Sequence, residues 1–127
     1  MRKEEVKILK ERADAFLDTA AYNYRNGSYD LTAFNLEQAV QLLIKTKLLE
    51  LIGEFPRTHN LVILLKELSS VYKEHEVVAF IKSEMLRLTK LTDVYITARY
   101  YTREFFEEEV KDLCDFTMRL KVLLDYV

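Results

Sequence analysis

The chain of 127 residues has no tryptophan, one cysteine, one proline and two glycines. With only Cys114 present, an intrachain disulfide framework and any cysteine-rich zinc site are excluded, and the thiol fits a reducing, cytoplasmic compartment. Long apolar runs are missing as well. No window reaches the ~18 apolar residues that a membrane-spanning helix needs, and MRKEEVKILKERADAF at the N-terminus lacks the apolar stretch of an export signal, so a soluble, unexported protein is expected. Charge of one sign is equally scarce. Nineteen Lys and Arg against 21 Asp and Glu give a net charge of −2, so the overall field draws in neither nucleic acid nor an anionic membrane, although a local basic patch remains open. What is present is half apolar and 31% charged. That composition and length suit a single domain over residues 1–127, with a compact radius of about 14 Å and roughly two-thirds of the unfolded surface buried.

Gly27 in RNGSYD, and Gly53 with Pro56 in IGEFPRTHN, punctuate the chain, and between them apolar residues recur at helical rather than strand spacing. Before Gly27, Val6, Leu9, Ala13, Phe16, Leu17 and Ala20 share one face, with Asn26-Gly27 suited to a left-handed C-cap and Ser28 or Asp30 to the next N-cap. A second helix runs from about Leu31 to Ile52 on a stripe of Leu36, Ala39, Val40, Leu43, Ile44, Leu48 and Leu51. Leu42 and Leu49 fall outside that stripe, so this helix is either central or faces a second subunit. Thr58 is the expected N-cap of a third helix carrying Leu61, Leu65, Leu68 and Tyr72. A fourth follows with Val78, Ile81, Met85 and Leu88, and either continues through Leu91, Tyr95 and Ala98 or breaks near Thr92-Asp93. The last, about Arg103 to Tyr126, buries Phe106, Val110, Leu113, Thr117, Leu120 and Leu124, with acidic residues near its positive end. The expected fold is all-α, an antiparallel bundle of about five helices.

The common catalytic signatures are absent: no Gly-rich phosphate loop, no His-Glu-x-x-His, no calcium loop and no Gly-x-Ser-x-Gly. His59 and His75, read as opposite ends of one helix, stand too far apart to share a metal, and no metal site or cofactor is expected. Cys114 reads as a core thiol among apolar and acidic neighbours, and Glu107-Glu108-Glu109 as a solvated face. Two constellations remain. Gln38 and Lys45, nearly two turns apart, project from one side of an otherwise apolar helix, where Lys45 either snorkels to the surface or pairs with an acidic neighbour, or contacts an anion. Tyr95, Arg99, Tyr100, Tyr101 and Arg103 either form a tyrosine-rich packing or dimer surface, or set a guanidinium beside an aromatic ring that binds phosphate or stacks on a base.

The run Gln38-Ala39-Val40-Gln41-Leu42-Leu43-Ile44-Lys45, then Leu48-Leu49, Gly53, Pro56, Thr58-His59-Asn60-Leu61 and Leu64-Leu65, resembles the core signature of the HEPN domain. Leu91, Tyr95 and Ala98-Arg99-Tyr100 are similar to that family's Tyr-x-x-x-Arg-Tyr element. The resemblance spans nearly the whole chain in the family's order. It implies an all-α bundle that commonly dimerises, often encoded beside a minimal nucleotidyltransferase as its partner in a toxin–antitoxin-like module, and in many members metal-independent RNA cleavage or RNA binding. Ribonuclease members carry an Arg followed by His after four to six residues, whereas here Arg57 precedes His59 by only two positions. Tyr101 also stands where small stand-alone members frequently have Pro. The reading is therefore a homodimeric binding module for a nucleotidyltransferase, a nucleotide or RNA, with Lys45, His59, Tyr95, Arg99 and Tyr100 lining a ligand groove. Two alternatives accompany it: a ribonuclease that brings His59 together with Arg99 or Arg57 through the fold, and a protein adaptor that docks through Leu42 and Leu49.

Overall fold

The computed structural model describes residues 2–100 and 103–126, with residues 98–100 described in backbone only. Six helices follow in order: α1 (Arg2–Arg25), α2 (Tyr29–Ile52), α3 (Leu61–Ser69), α4 (Glu74–Ser83), α5 (Met85–Tyr100) and α6 (Glu107–Leu123). The all-α bundle expected from the periodicity is what forms, with no strand among the described residues. One apolar cluster draws on all six helices, from Ala13 and Ala20 of α1 to Leu113, Phe116 and Leu120 of α6.

At the first break, Gly27 adopts φ 75°, and the Ser28 amide donates to the Asn23 carbonyl at 2.9 Å, the six-to-one bond of a left-handed helix end. The short turn folds α1 back along α2. Contact between them is made by small residues, Ala13 and Ala20 of α1 being fully buried while Val6, Leu9, Phe16 and Leu17 are only half-buried. Across the same seam Asn35 Nδ2 donates to Asn23 Oδ1 at 2.8 Å, a buried polar contact between the two helices. Ser28 precedes α2 without a side-chain cap bond. Asp30 instead accepts the Phe105 amide at 3.2 Å, tying the start of α2 to the entry of α6.

Helix α2 is the central element. It packs against α1, α3, α5 and α6, and 13 of its 24 residues are buried, which resolves its two-sided apolar pattern in favour of a central position in the monomer. Leu49 is 5% exposed and Leu42 packs half-buried on the main cluster, so neither is the exposed docking residue of the adaptor reading. Gly53 ends α2 at φ 80° with its amide on the Leu49 carbonyl at 2.9 Å. A Cβ there would run into the Arg2 guanidinium, and a non-glycine residue in this backbone region costs ~1–2 kcal/mol. Gly53→Ala is accordingly expected to lower the unfolding free energy by about 1 kcal/mol in urea denaturation, with no change in slope.

Several boundaries differ from the sequence reading, and the number of helices is six rather than about five. Helix α3 is capped by Asn60, whose side chain accepts from the Ile63 amide at 3.1 Å, while Thr58 accepts the Asn60 amide at 3.1 Å. His59 thus lies in the loop before α3 and His75 in α4. The expected fourth helix breaks at Glu84, between α4 and α5, and not at Thr92-Asp93. Thr92 stays within α5, donating to the Leu88 carbonyl at 2.8 Å and accepting the Leu61 amide at 3.2 Å, so it caps α3 from a neighbouring helix. Accordingly Val77, Ile81 and Leu88 enter the core, whereas Met85 is exposed.

Helix α6 starts at Glu107 rather than Arg103, its first turn closed by the Phe106 amide on Glu109 Oε1 at 3.3 Å. It ends at Leu123, where Asp125 takes φ 53° and the Tyr126 amide donates to the Lys121 carbonyl at 2.9 Å. Asp125 is held there by Lys73 at 2.8 Å and by the Tyr72 hydroxyl at 2.6 Å. Among the described residues, no helix is long and apolar enough to cross a membrane.

Candidate functional site

Three elements converge beside the middle of α2. The helix supplies a polar row at one-turn spacing, Glu37, Gln41 and Lys45. The loop after Gly53 supplies Phe55, Arg57, Thr58 and His59, and α5 supplies Tyr95. Together Gln41, Lys45, Phe55, Arg57, Thr58, His59 and Tyr95 line an open groove of about 310 Å³.

Glu37 is fully buried. One of its carboxylate oxygens accepts from Gln38 Nε2 at 2.7 Å and the other from Gln41 Nε2. Gln41 in turn accepts from Lys45 Nζ at 3.2 Å, so the carboxylate and the ammonium are linked through one amide whose orientation the two charges dictate. Burial pushes the Lys45 ammonium below its ordinary range, and the Glu37 carboxylate opposes that shift. Lys45 Nζ also lies 5.3 Å from the centroid of the Phe55 ring. Among the described residues no carboxylate comes within salt-bridge distance of it, which leaves donors of the ammonium available to an incoming anion.

In the same groove the His59 and Tyr95 rings stack at 4.2 Å between centroids with an interplanar angle of 12°. The residues come from the loop before α3 and from α5, so the stack is a product of tertiary packing. A paired planar surface beside an ammonium and the exposed guanidinium of Arg57 can hold an aromatic base and its phosphate at once.

Of the five residues that the sequence reading put in a ligand groove, Lys45, His59 and Tyr95 line this one. The side chains of Arg99 and Tyr100, and all of Tyr101, lie outside the described residues. Arg103 belongs elsewhere: it pairs with Glu109 at 2.7 Å and lies 4.0 Å from the Phe105 ring centroid. Gln38 is the amide neighbour of Glu37 and does not line the groove. Glu37 and Gln41 were not singled out as site residues in sequence, although their spacing of eight and four residues from Lys45 was visible. Phe55 and Arg57 could not be placed by spacing, because a loop carries them in. Cys114 is half-buried, and burial raises its thiol, as expected of a packing cysteine. Among the described residues no group of His, Cys, Asp and Glu is placed to hold a metal ion.

The family model described as HEPN domain matches residues 6–123. The chain belongs to the HEPN family. No curated protein and no solved structure matches it. The match spans every element of this HEPN domain that builds the groove, from α2 through the loop after Gly53 to α5.

Proposed function

We propose that this HEPN domain is a binding module whose groove takes a nucleotide or single-stranded RNA, acting as a cytoplasmic homodimer with a minimal nucleotidyltransferase as its partner. The observation that carries the reading is the His59–Tyr95 stack in the same groove as Lys45. In this arrangement Lys45 and Arg57 attract phosphate, the stacked rings receive a base, and Gln41 links Lys45 to Glu37. Arg99 and Tyr100, from the same family element as Tyr95, complete the proposed set. The partner reading rests on the family alone.

Fluorescence anisotropy with a labelled single-stranded RNA, and competition by ATP, tests this directly. Saturable binding that weakens with salt is expected, together with a loss of about tenfold in Lys45→Gln. Equal affinity of wild type and Lys45→Gln would remove the groove from the argument.

A ribonuclease is the second reading, favoured by one observation: Arg57 and His59 line the same groove as Lys45. There His59 would exchange a proton with a 2′-hydroxyl while the cations hold the phosphate. RNA incubated without added metal should remain intact under the binding reading. Degradation that disappears in His59→Ala would establish the enzyme instead.

A further inference from the structure

Helix α2 has a second polar face. On it, Thr46, Lys47 and Glu50 meet Lys10 of α1 and the turn Leu124–Tyr126 that ends α6, around a cavity of about 240 Å³ with Leu43 at its base. This cavity is separate from the groove, with which it shares no lining residue.

Its distinguishing feature is Thr46. The residue is 3% exposed, and its buried hydroxyl has no hydrogen-bond partner among the described residues. A threonine inside a helix ordinarily satisfies its hydroxyl on the carbonyl one turn back. Thr19, Thr32, Thr89, Thr92 and Thr117 all do so, at 2.8–3.0 Å. Thr46 makes no such bond, and the residue is among those that line the cavity. A buried hydroxyl without a partner is costly, so a partner supplied from the cavity is stabilising.

The surrounding charge selects the kind of partner. Lys10 and Lys121 flank the Tyr126 ring at 5.7 and 5.6 Å, and Lys47 lies 3.5 Å from Glu50. Asp125 is occupied by Lys73 and the Tyr72 hydroxyl, and Asp14 accepts from the Tyr126 hydroxyl at 2.7 Å. Each of these three carboxylates is thus engaged, Glu50 by Lys47, Asp125 by Lys73 and Asp14 by the Tyr126 hydroxyl. Lys10 has no carboxylate within salt-bridge distance among the described residues. The rim is also built under strain, since Asp125 holds a left-handed backbone at φ 53° that non-glycine residues seldom adopt. As for size, the space exceeds the ~30 Å³ share of one water and falls short of the ~300–1,000 Å³ of sites for drug-sized ligands.

We propose that this cavity binds a small phosphate-bearing ligand, with the Thr46 hydroxyl donating to a phosphate oxygen and Lys10 and Lys47 balancing its charge. Free phosphate and a small phosphomonoester share that chemistry. The test is a two-dimensional NMR titration of the full chain with inorganic phosphate, and separately with glycerol 3-phosphate, against chloride at matched ionic strength. Saturable shifts at the amides of Thr46 and Leu124–Tyr126 are expected. Affinity should fall about tenfold or more in Thr46→Val, which keeps the side-chain shape, and likewise in Lys10→Gln at a partly exposed site. Tighter binding of the ester would identify a phosphomonoester, and tighter binding of the free ion would identify phosphate. Shifts matched by chloride, or undiminished in Thr46→Val, would overturn the proposal and leave Thr46 a hydroxyl satisfied by water. Because Lys45→Gln does not touch this cavity, it should leave these shifts unchanged, so the two sites succeed or fail separately.

Discussion

Glu84→Ala is expected to cost about 2–3 kcal/mol of stability, a fall of ~10 °C in the thermal midpoint of a chain this size. The Glu84 side chain is 8% exposed and sits at the break between α4 and α5. Arg119 of α6 donates to it twice, at 2.6 and 2.9 Å, and Arg87 of α5 once, at 3.3 Å. Arg87 also donates to Asp112 at 2.8 Å. One carboxylate therefore ties the turn to two helices, and its removal leaves two guanidinium groups without their shared acceptor. The figure stays below that of a fully buried pair because Arg119 is itself 45% exposed. Glu84→Gln, which can still accept from Arg119, should retain part of the loss.

The same residue sets an acid dependence. Hydrogen bonding from Arg119 holds the Glu84 carboxyl below its ordinary range, against the opposing effect of burial. Its folded value is lower than its unfolded one, so its contribution is fully present above the unfolded value of ~4.3 and is lost as pH falls through the folded value. The gap in melting temperature between wild type and Glu84→Ala should therefore be constant near neutrality and close below about pH 4. Calorimetry across that range checks both statements, and a gap independent of pH would show that packing alone is lost.

Tyr95→Ala is the second large expectation, and it bears on function. Stacking of a base on an aromatic side chain contributes ~1–3 kcal/mol, so affinity for single-stranded RNA or nucleotide should fall about 10- to 100-fold. Tyr95→Phe keeps the ring on His59 and should retain most of the binding. Tyr95 lies outside the main apolar cluster, so helicity and melting temperature should change far less than affinity. Anisotropy titrations beside circular dichroism measure the two effects separately. Unchanged affinity in Tyr95→Ala would mean that the stack serves packing only.

Both residues show where the limit of sequence reading lies. Tyr95 was found because it stands in a recognisable element, yet nothing local placed it on His59. Glu84 was missed because a single acidic residue within an apolar helical pattern reads as a solvent-facing position. Only the approach of Arg87 and Arg119 makes a break at Glu84 favourable, and that approach depends on how α5 and α6 pack. Thr92 was a reasonable candidate helix cap, and it does cap a helix, though not its own. Its hydroxyl meets Leu61 because α3 and α5 are neighbours.

The sequence by itself determined the all-α class and the positions of the turns at Gly27 and Gly53, and its ordered motifs carried the resemblance to the HEPN family. The class and the turns follow from local physics: the 3.6-residue period of apolar side chains, and the freedom of glycine to take positive φ. Tertiary structure decided which long helix is central, that Glu84 divides α4 from α5, and that Lys45, His59 and Tyr95 share a groove. It also decided that Thr46 lines a cavity with the turn that ends α6. Each of these is a juxtaposition of elements far apart in the chain, set by side-chain shape and buried hydrogen bonding, and periodicity along one helix carries no information about what lies across from it.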